Sequence, residues 1–235
     1  MKISGFRKTS LIDYPGNIAA VVFTGGCNFR CPYCHNPELV GKVAAEDSGP
    51  FLDLDYLWDF LEDRKKLLDG LVITGGEPLL QQSIVSFIKK VKAMSMKVKL
   101  DTNGTVFSIL KQLVEEKLLD YVALDIKTSF DKYRELVRTC TDEELAAIKK
   151  SIDLLIGSDI DYEFRTTVVP GCHSAEDIRQ IARQVEGAAK FVLQNFRSGV
   201  TLDPSFQEKK RFPDEKLDEF KEIAEKYLQQ VKVRY

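Results

Sequence analysis

The feature that most constrains the fold of this chain is an alternation of short apolar runs with longer segments of helical period. The short runs are rich in β-branched residues, which is typical of strands. Several are apolar almost throughout, which favours parallel strands covered on both faces. The six predicted strands are Ile18–Thr24, Leu71–Thr74, Lys97–Asp101, Tyr121–Ile126, Tyr162–Val169 and Lys190–Asn195.

The segments between these strands predict helices, because their apolar residues recur at spacings of three and four. The clearest stripes cover residues 54–61 behind an Asp53 N-cap, 84–91, 178–185 behind a Ser174 N-cap, and 217–227. Six β/α units in a row predict one α/β domain over residues 1–235, either an open doubly wound sheet or a partial barrel. In both folds, chemistry collects at the carboxyl ends of the strands.

Charge and hydropathy narrow the classes of partner. Lys and Arg (34) nearly balance Asp and Glu (36), so we expect no nucleic-acid partner. The first residues contain no apolar signal region, and no apolar run approaches the roughly 18–20 residues that span a bilayer. We therefore expect a cytoplasmic protein with no membrane partner. In that reducing compartment, cysteines are metal ligands or inert thiols rather than disulfides.

Three of the five cysteines lie within eight residues, directly after the first predicted strand. Cys27, Cys31 and Cys34 have C-x₃-C-x₂-C spacing. Three thiolates can hold three corners of an iron–sulfur cube and leave the fourth iron open to a substrate or cofactor. One alternative is a structural zinc knuckle with His35 as the fourth ligand. Another is a redox pair of Cys31 and Cys34, which leaves Cys27 unexplained.

With aromatic Tyr33 just before the third cysteine, this segment resembles the signature of the radical S-adenosylmethionine (SAM) superfamily. The resemblance implies a partial (β/α)6 TIM-like barrel of the radical SAM type. It implies a 4Fe–4S cluster on Cys27, Cys31 and Cys34, with SAM on the open iron and contacts from Tyr33 and Asn36. It also implies an oxidoreductase that cleaves SAM reductively to a 5′-deoxyadenosyl radical, which abstracts a hydrogen atom.

A second motif ends the second predicted strand. In Gly75-Gly76-Glu77-Pro78, the glycines let a ligand approach the backbone and Glu77 offers an anionic acceptor for an amine. Alone, this tetrapeptide is more typical of an ordinary turn. One β/α unit after the cysteines, it resembles the superfamily's motif for the amino group of SAM. We therefore expect Gly75, Gly76 and Glu77 to bind the cofactor.

Polar residues also end the third and fourth predicted strands, where plain caps or loop residues are the alternative. Asp101 with Thr102, and Asp125 with Lys127, resemble segments of glycyl radical enzyme activating enzymes. The resemblance implies a monovalent cation, Na⁺ or K⁺, among Asp101, Thr102 and Asp125, beside the cofactor carboxylate. It implies SAM contacts for Asp101, Lys127 and, on the fifth strand, Arg165.

Segments 13–16 and 34–37 look most like activating proteins of anaerobic ribonucleotide reductase. We therefore predict that the chain makes a glycyl radical on anaerobic ribonucleoside-triphosphate reductase, with reduced flavodoxin or ferredoxin as electron donor. The alternative is a radical SAM enzyme acting on a small molecule, similar to the deazapurine-forming synthases. A third hypothesis is a non-catalytic iron–sulfur or zinc protein. Residues 194–197 do not match the histidine-bearing segment of formate-lyase-type activases, so no cofactor contact is assigned to the sixth strand.

Two irregular stretches, residues 41–50 and 197–212, are predicted to be mobile loops that dock the partner. The two remaining cysteines are predicted to be spare thiols. Cys140 lies in a polar helical stretch, and Cys172 follows Pro170 and Gly171.

Overall fold

A computed structural model of the chain describes residues 1–41 and 51–235, so nearly all of the predicted loop at 41–50 lies outside the described residues. The chain divides into two compact units. The first comprises Met1–Asn28, Glu38–Thr102 and Val106–Val122, and the second Phe29–Pro37, Asn103–Thr105 and Ala123–Tyr235. The single domain expected over residues 1–235 stays a prediction. Within the described ranges, no helix is long and apolar enough to cross a membrane.

The first unit is built on four paired strands. In chain order these are β1 (Ile3–Ser10), β2 (Ala19–Thr24), β3 (Gly70–Gly75) and β4 (Lys97–Thr102). Strands β2, β3 and β4 pair in parallel, with Thr24 opposite Gly75 and Ile73 opposite Leu100, whereas β1 runs antiparallel to β2. The first four residues of β2 and of β3 are buried, as expected of parallel strands covered on both faces.

Short helices connect the strands of this unit: α1 (Pro37–Val40), α2 (Leu54–Arg64), α3 (Ile84–Ala93) and α4 (Phe107–Glu115). The predicted N-cap of α2 is confirmed, because the Asp53 carboxylate accepts a hydrogen bond from the Asp55 N–H at 2.9 Å. The apolar stripes of α2 and α3 bury Leu57, Leu61, Ile88 and Val91. These helices therefore form because amphipathic faces are buried against the strands that they connect.

From Ala123, within β5 (Tyr121–Asp125), the chain belongs to the second unit to its last described residue. Strands β6 (Asp161–Val168), β7 (Phe191–Asn195) and β8 (Val231–Arg234) pair in parallel. Their helices are α5 (Tyr133–Val137), α6 (Asp142–Ile156), α7 (Ala175–Gln184) and α8 (Asp214–Ala224). As in the first unit, strands and helices alternate along the chain.

All six predicted strands are confirmed, each to within one residue at either end. Two strands were not predicted. Strand β1 contains Gly5 and a polar run from Arg7 to Ser10 of which the first three residues are exposed, so it carries no apolar signal. Strand β8 has only four residues, of which Lys232 and Arg234 are exposed. Both strands form because a neighbouring strand offers a hydrogen-bonding edge, and that information is not local in the sequence.

The predicted loop at 197–212 is anchored in its middle to the cysteine segment. The Leu202 N–H donates to the Cys34 carbonyl and the Asp203 N–H donates to the Pro32 carbonyl, both at 2.9 Å. The Arg138 guanidinium also pairs with the Asp203 carboxylate at 2.7 Å. Residues 201–203 therefore do not behave as the freely mobile loop that their composition predicted.

Removing the N-cap of α7 is expected to destabilise the protein. The Ser174 hydroxyl accepts a hydrogen bond from the Asp177 N–H, and the Asp177 carboxylate accepts one from the Ser174 N–H. Because Ser174→Ala removes one half of this capping box, the free energy of unfolding should fall by about 1 kcal/mol, measured by urea denaturation at constant m.

The matched control is Ser86→Ala. Ser86 is exposed within α3 and donates to the Ser83 carbonyl. Alanine is the better helix former there, so the free energy of unfolding should change by no more than about 0.5 kcal/mol. Equal losses at the two serines would contradict the capping role of Ser174.

Candidate functional site

In the first unit, the glycine turn after β3 lies directly against the backbone that leads into Cys27. Gly75 has φ +121°, and a Cβ atom on it would lie 2.3 Å from the Thr24 nitrogen. A Cβ atom on Gly76 would lie 2.0 Å from the Gly26 oxygen. The Glu77 N–H donates to that same Gly26 oxygen at 2.8 Å. No side chain fits at either position, because its Cβ atom would overlap the backbone of Thr24 or Gly26.

The carboxylate of Glu77 is completely buried at the ends of two neighbouring strands. Its Oε1 accepts a hydrogen bond from the Thr102 hydroxyl at 2.7 Å and one from the Leu79 N–H at 3.1 Å. Thr102 is the last residue of β4, and Glu77 caps the 3-10 turn Pro78–Leu80. An oriented, buried carboxylate of this kind can accept strong, charge-assisted hydrogen bonds from an ammonium group.

Asp101, also at the end of β4, has a cationic partner within its own strand. Residues two apart share a face of a strand, and the Lys99 ammonium donates to the Asp101 carboxylate. The Lys99 side chain is only 2% exposed and lies 5.9 Å from the centre of the Tyr121 ring. Sequence reasoning missed Lys99, although a lysine within an apolar run two residues before Asp101 is a detectable signal.

In the second unit, Asp125 forms ion pairs with Lys127 and Arg165, two of the predicted SAM contacts. Arg165 Nε lies 2.9 Å from Asp125 Oδ1, and Lys127 Nζ lies 3.2 Å from Asp125 Oδ2. Burial would raise the pKa of Asp125, but the charges of Arg165 and Lys127 outweigh it and hold that pKa well below its usual range. Burial would lower the pKa of Lys127, but Asp125 keeps it above its usual value. All three groups are therefore charged at neutral pH.

Two residues that the sequence did not identify hold the backbone of Lys127. The Tyr133 hydroxyl accepts a hydrogen bond from the Lys127 N–H at 3.0 Å. His173 Nδ1 accepts from the Val169 N–H at 3.0 Å, so the ring proton is on Nε2, which donates to the Lys127 carbonyl at 2.8 Å. Burial lowers the pKa of His173, which favours this neutral form. No local motif marks either residue.

The three clustered cysteines are thiols, and none of them forms a disulfide within residues 1–41 and 51–235. Cys31 is buried, whereas Cys27 and Cys34 are half-buried. Cys27 belongs to the first unit and the other two to the second, where the Cys34 N–H donates to the Cys31 carbonyl at 3.0 Å and closes a turn. Among residues 1–41 and 51–235, no three His, Cys, Asp or Glu side chains converge on a single metal ion. Thiolates are the ligands that iron–sulfur clusters take, and in an iron–sulfur cube each thiolate binds its own iron rather than one shared ion.

His35, the fourth ligand of the zinc alternative, is engaged elsewhere in the second unit. Its Nδ1 lies 3.0 Å from the Val200 carbonyl, and because a carbonyl only accepts, this nitrogen carries the proton. The imidazole also stacks on the Phe196 ring, with centroids 5.3 Å apart and an interplanar angle of 19°. Nδ1 of His35 is therefore not available as a metal ligand in this arrangement.

The other two predicted contacts of this segment are Tyr33 and Asn36. Tyr33 is buried, and its hydroxyl has no hydrogen-bond partner within the described part of the chain. Burial, together with the neighbouring Cys31, raises the pKa of Tyr33, so the phenol is protonated. Asn36 is half-buried. The Tyr33 hydroxyl is thus a buried donor suited to a bound polar group.

The two cysteines outside this segment differ in their surroundings. Cys140 lies immediately before α6, and burial raises its pKa to about 11. Cys172 is half-buried, and burial raises its pKa despite the nearby Lys209. Raised pKa values favour the unreactive thiol form. That both cysteines are spare thiols stays a prediction.

Comparisons with known proteins agree on one family. Residues 21–185 match the model of the Radical SAM superfamily. The chain is 38% identical over 237 residues to a putative glycyl-radical enzyme activating enzyme of Methanocaldococcus jannaschii, covering 99% of this chain and 95% of that protein. It is 32% identical over 127 residues to the pyruvate formate-lyase-activating enzyme of Clostridium pasteurianum, covering 54% of this chain and 52% of that enzyme.

A solved structure is similar to this chain, and at its low sequence identity the similarity concerns the fold and not the function. The crystal structure of Streptococcus suis SuiB bound to S-adenosylmethionine superposes with a TM-score of 0.65 at 16% identity, covering 89% of this chain and 48% of SuiB. The chain thus spans about half the length of that neighbour. The predicted α/β fold, a partial (β/α)6 barrel of the radical SAM type, is confirmed.

Neutralising Asp125 is expected to destabilise the second unit. Asp125→Asn leaves Arg165 and Lys127 largely buried without their counter-charge, which should lower the free energy of unfolding by about 3 kcal/mol. Because the folded-state pKa of Asp125 lies below its unfolded value, the contribution is lost only in acid. The loss measured by urea denaturation should therefore be constant from about pH 5 to about pH 8.

Asp131→Asn serves as the control, since Asp131 is exposed in the same segment. Its effect on the free energy of unfolding should stay within about 0.5 kcal/mol. A loss at Asp125 no greater than this would show that the three charges do not stabilise one another.

Proposed function

Because the chain belongs to the Radical SAM superfamily and, within it, to the glycyl-radical enzyme activating enzymes, we propose that it makes a glycyl radical on an anaerobic ribonucleoside-triphosphate reductase. The chain is an enzyme, and its superfamily implies a 4Fe–4S cluster and SAM as cofactors. The observation that carries the proposed activase function is the match to an activating enzyme over almost the whole chain. The choice of reductase rests on segments 13–16 and 34–37 of the sequence.

We assign the three thiols of Cys27, Cys31 and Cys34 to the cluster. Three thiolates leave one iron without a cysteine, which is the position that SAM requires. When bound and reduced, these cofactors supply a 5′-deoxyadenosyl radical that removes a hydrogen atom from the substrate. The protein's own contribution is to bind, to orient and to exclude water.

Glu77 is assigned to the amino group of SAM. Its carboxylate is buried and oriented by the Thr102 hydroxyl and the Leu79 N–H, so it is already desolvated and aligned before an ammonium arrives. Gly75 and Gly76 leave the backbone bare beside it. A pre-oriented acceptor loses little entropy on binding, which increases affinity.

Lys127 and Arg165 are assigned to the anionic groups of the cofactor, with Tyr33 and Asn36 as further polar contacts. Asp125 holds both cations through separate carboxylate oxygens. The backbone of Lys127 is fixed in addition by Tyr133 and His173. A cation fixed in this way presents its charge in one direction, which suits recognition of a carboxylate.

The substrate of this reaction is a glycine on a large protein partner. A peptide Cα–H must be brought to the reacting centre by a loop of the partner, and glycine alone leaves its Cα accessible. The electron for the cluster is assigned to reduced flavodoxin or ferredoxin, and the compartment to the cytoplasm. Residues 197–212 are a candidate docking segment, presented by the anchor at 201–203.

The cluster assignment predicts a clear division among the five cysteines. Protein reconstituted without oxygen should bind about four irons and absorb broadly near about 400 nm, as thiolate-bound iron–sulfur clusters do. Replacing Cys27, Cys31 or Cys34 by Ala should abolish both signals, measured by iron analysis and absorption spectroscopy.

Cys140→Ala is the control for this experiment, because Cys140 is a buried thiol outside the segment. It should leave the iron content unchanged, and so should Cys172→Ala. Stoichiometric zinc without iron in the reconstituted protein would instead support the zinc alternative.

The activase proposal predicts a protein radical. Reduced enzyme, SAM and an anaerobic ribonucleoside-triphosphate reductase from the same organism should together give a doublet in electron paramagnetic resonance, split by the remaining glycine α-hydrogen. The signal should disappear when the reductase carries Ala at its radical glycine, and also when the activase carries Cys27→Ala.

Two results would redirect the proposal. A doublet on a different glycyl radical enzyme, and none on the reductase, would keep the activase function and change its partner. No doublet on any such enzyme, with stoichiometric 5′-deoxyadenosine release stimulated by a small molecule, would favour the alternative similar to the deazapurine-forming synthases.

A further inference from the structure

The monovalent cation that the family resemblance implies does not fit the carboxylates of this chain. In the first unit, the Asp101 carboxylate receives the Lys99 ammonium. In the second unit, the Asp125 carboxylate receives Arg165 on one oxygen and Lys127 on the other. The Thr102 hydroxyl donates to Glu77. Each carboxylate of the predicted cation site therefore already has a cationic partner within its own unit.

Lys99 is the unusual member of this set. Its side chain is only 2% exposed, and a lysine is almost never buried to this extent unless it is paired. A buried ammonium without a partner is strongly disfavoured, and the Asp101 carboxylate supplies that partner inside the unit. The Tyr121 ring, 5.9 Å from Nζ, adds a weak attraction for the cation.

The position of Lys99 follows from the geometry of β4. Because residues two apart share a face of a strand, the side chains of Lys97, Lys99 and Asp101 lie on the same face of β4. Lys97 is exposed at the start of the strand and donates to the Asn17 side chain at 2.9 Å. Lys99 lies in the buried middle of β4, two residues before Asp101. The Lys97 ammonium therefore lies at the surface, whereas the Lys99 ammonium pairs with the Asp101 carboxylate inside the unit.

We propose that Lys99 takes the place of a bound monovalent cation at Asp101. Its ammonium carries the same charge as Na⁺ or K⁺ and is covalently part of the chain, so it neutralises and orients Asp101 at any salt composition. Lys99 is in this sense a positioning residue that acts through Asp101. Its effect on SAM rests on the proposed function, whereas its effect on cation binding does not.

The first test compares salts on the unmutated, reconstituted enzyme. SAM affinity, the rate of 5′-deoxyadenosine formation and the melting temperature are measured in NaCl, KCl and tetramethylammonium chloride at equal ionic strength, so that general screening is constant. The organic cation is too large to replace a dehydrated Na⁺ or K⁺. We expect the same values in all three salts. A requirement for Na⁺ or K⁺ overturns the proposal without any variant.

The second test removes the ammonium. In Lys99→Ala, SAM affinity in tetramethylammonium chloride should fall about ten- to a hundredfold, as for loss of a charge-assisted interaction, and Na⁺ or K⁺ should restore most of it. Because a cation that binds only the folded state stabilises it, Na⁺ or K⁺ should also raise the melting temperature of this variant by about 2–4 °C.

Two further variants separate charge from position. Lys97→Ala removes a lysine from the same face of the same strand and should behave as the unmutated enzyme in every salt. Lys99→Arg keeps the charge and should stay independent of Na⁺ and K⁺. A Lys99→Ala variant that folds and responds equally to all three salts overturns the proposal.

The melting temperatures distinguish failure of this inference from failure of the proposed function. If no salt supports SAM cleavage but only Lys99→Ala is stabilised by Na⁺ or K⁺, Lys99 replaces the cation and the SAM reaction is wrongly assigned. If SAM cleavage proceeds in the unmutated enzyme only with Na⁺ or K⁺, the SAM reaction stands and the role of Lys99 is refuted.

Discussion

The close approach of two backbone segments in the first unit is the contact on which the site depends. Gly75 and Gly76 lie so near Thr24 and Gly26 that any β-carbon would overlap main-chain atoms. Because neither partner is a flexible side chain, the contact cannot relax around a substitution. It holds the end of β3, and with it the buried carboxylate of Glu77, against the segment that leads into the cysteines. The position of the Glu77 carboxylate relative to the backbone of Gly26 follows from this contact.

Ion pairing of carboxylates is the second constraint on the structure, and it is found within each unit. Asp101 is neutralised by Lys99, and Asp125 by Arg165 and Lys127. Ions removed from water need such partners, since an isolated buried charge is strongly disfavoured. The pairs also set the chemistry at the strand ends, because a carboxylate that already carries an ammonium has less attraction for a second cation. The same ion pairs thereby stabilise the fold and weaken the attraction of Asp101 and Asp125 for a further cation.

The sequence was informative wherever a signal is local. Apolar runs located six strands, and Asp53 and Ser174 marked helix starts. Three kinds of feature were not predicted from the sequence. Strands β1 and β8 depend on a neighbour's free edge. Helices α4 and α6 carry buried apolar stripes but were not among the predicted helices. Partners such as His173 are chosen by tertiary contact, for which a single sequence holds no periodic trace.

The backbone hydrogen bonds from Leu202 and Asp203 to the carbonyls of Cys34 and Pro32 have a consequence for how such a chain can diverge. Two consecutive amide groups in a fixed register hold this loop, so inserting a residue between them, or deleting either one, would break at least one bond beside the cysteines. The contact between the His35 ring and the Val200 carbonyl, and the hydrogen bond from the Gly199 N–H to the Gln207 carbonyl, extend this requirement to either side of the pair. Changes in loop length, and any new partner preference that they bring, are therefore expected outside residues 199–207.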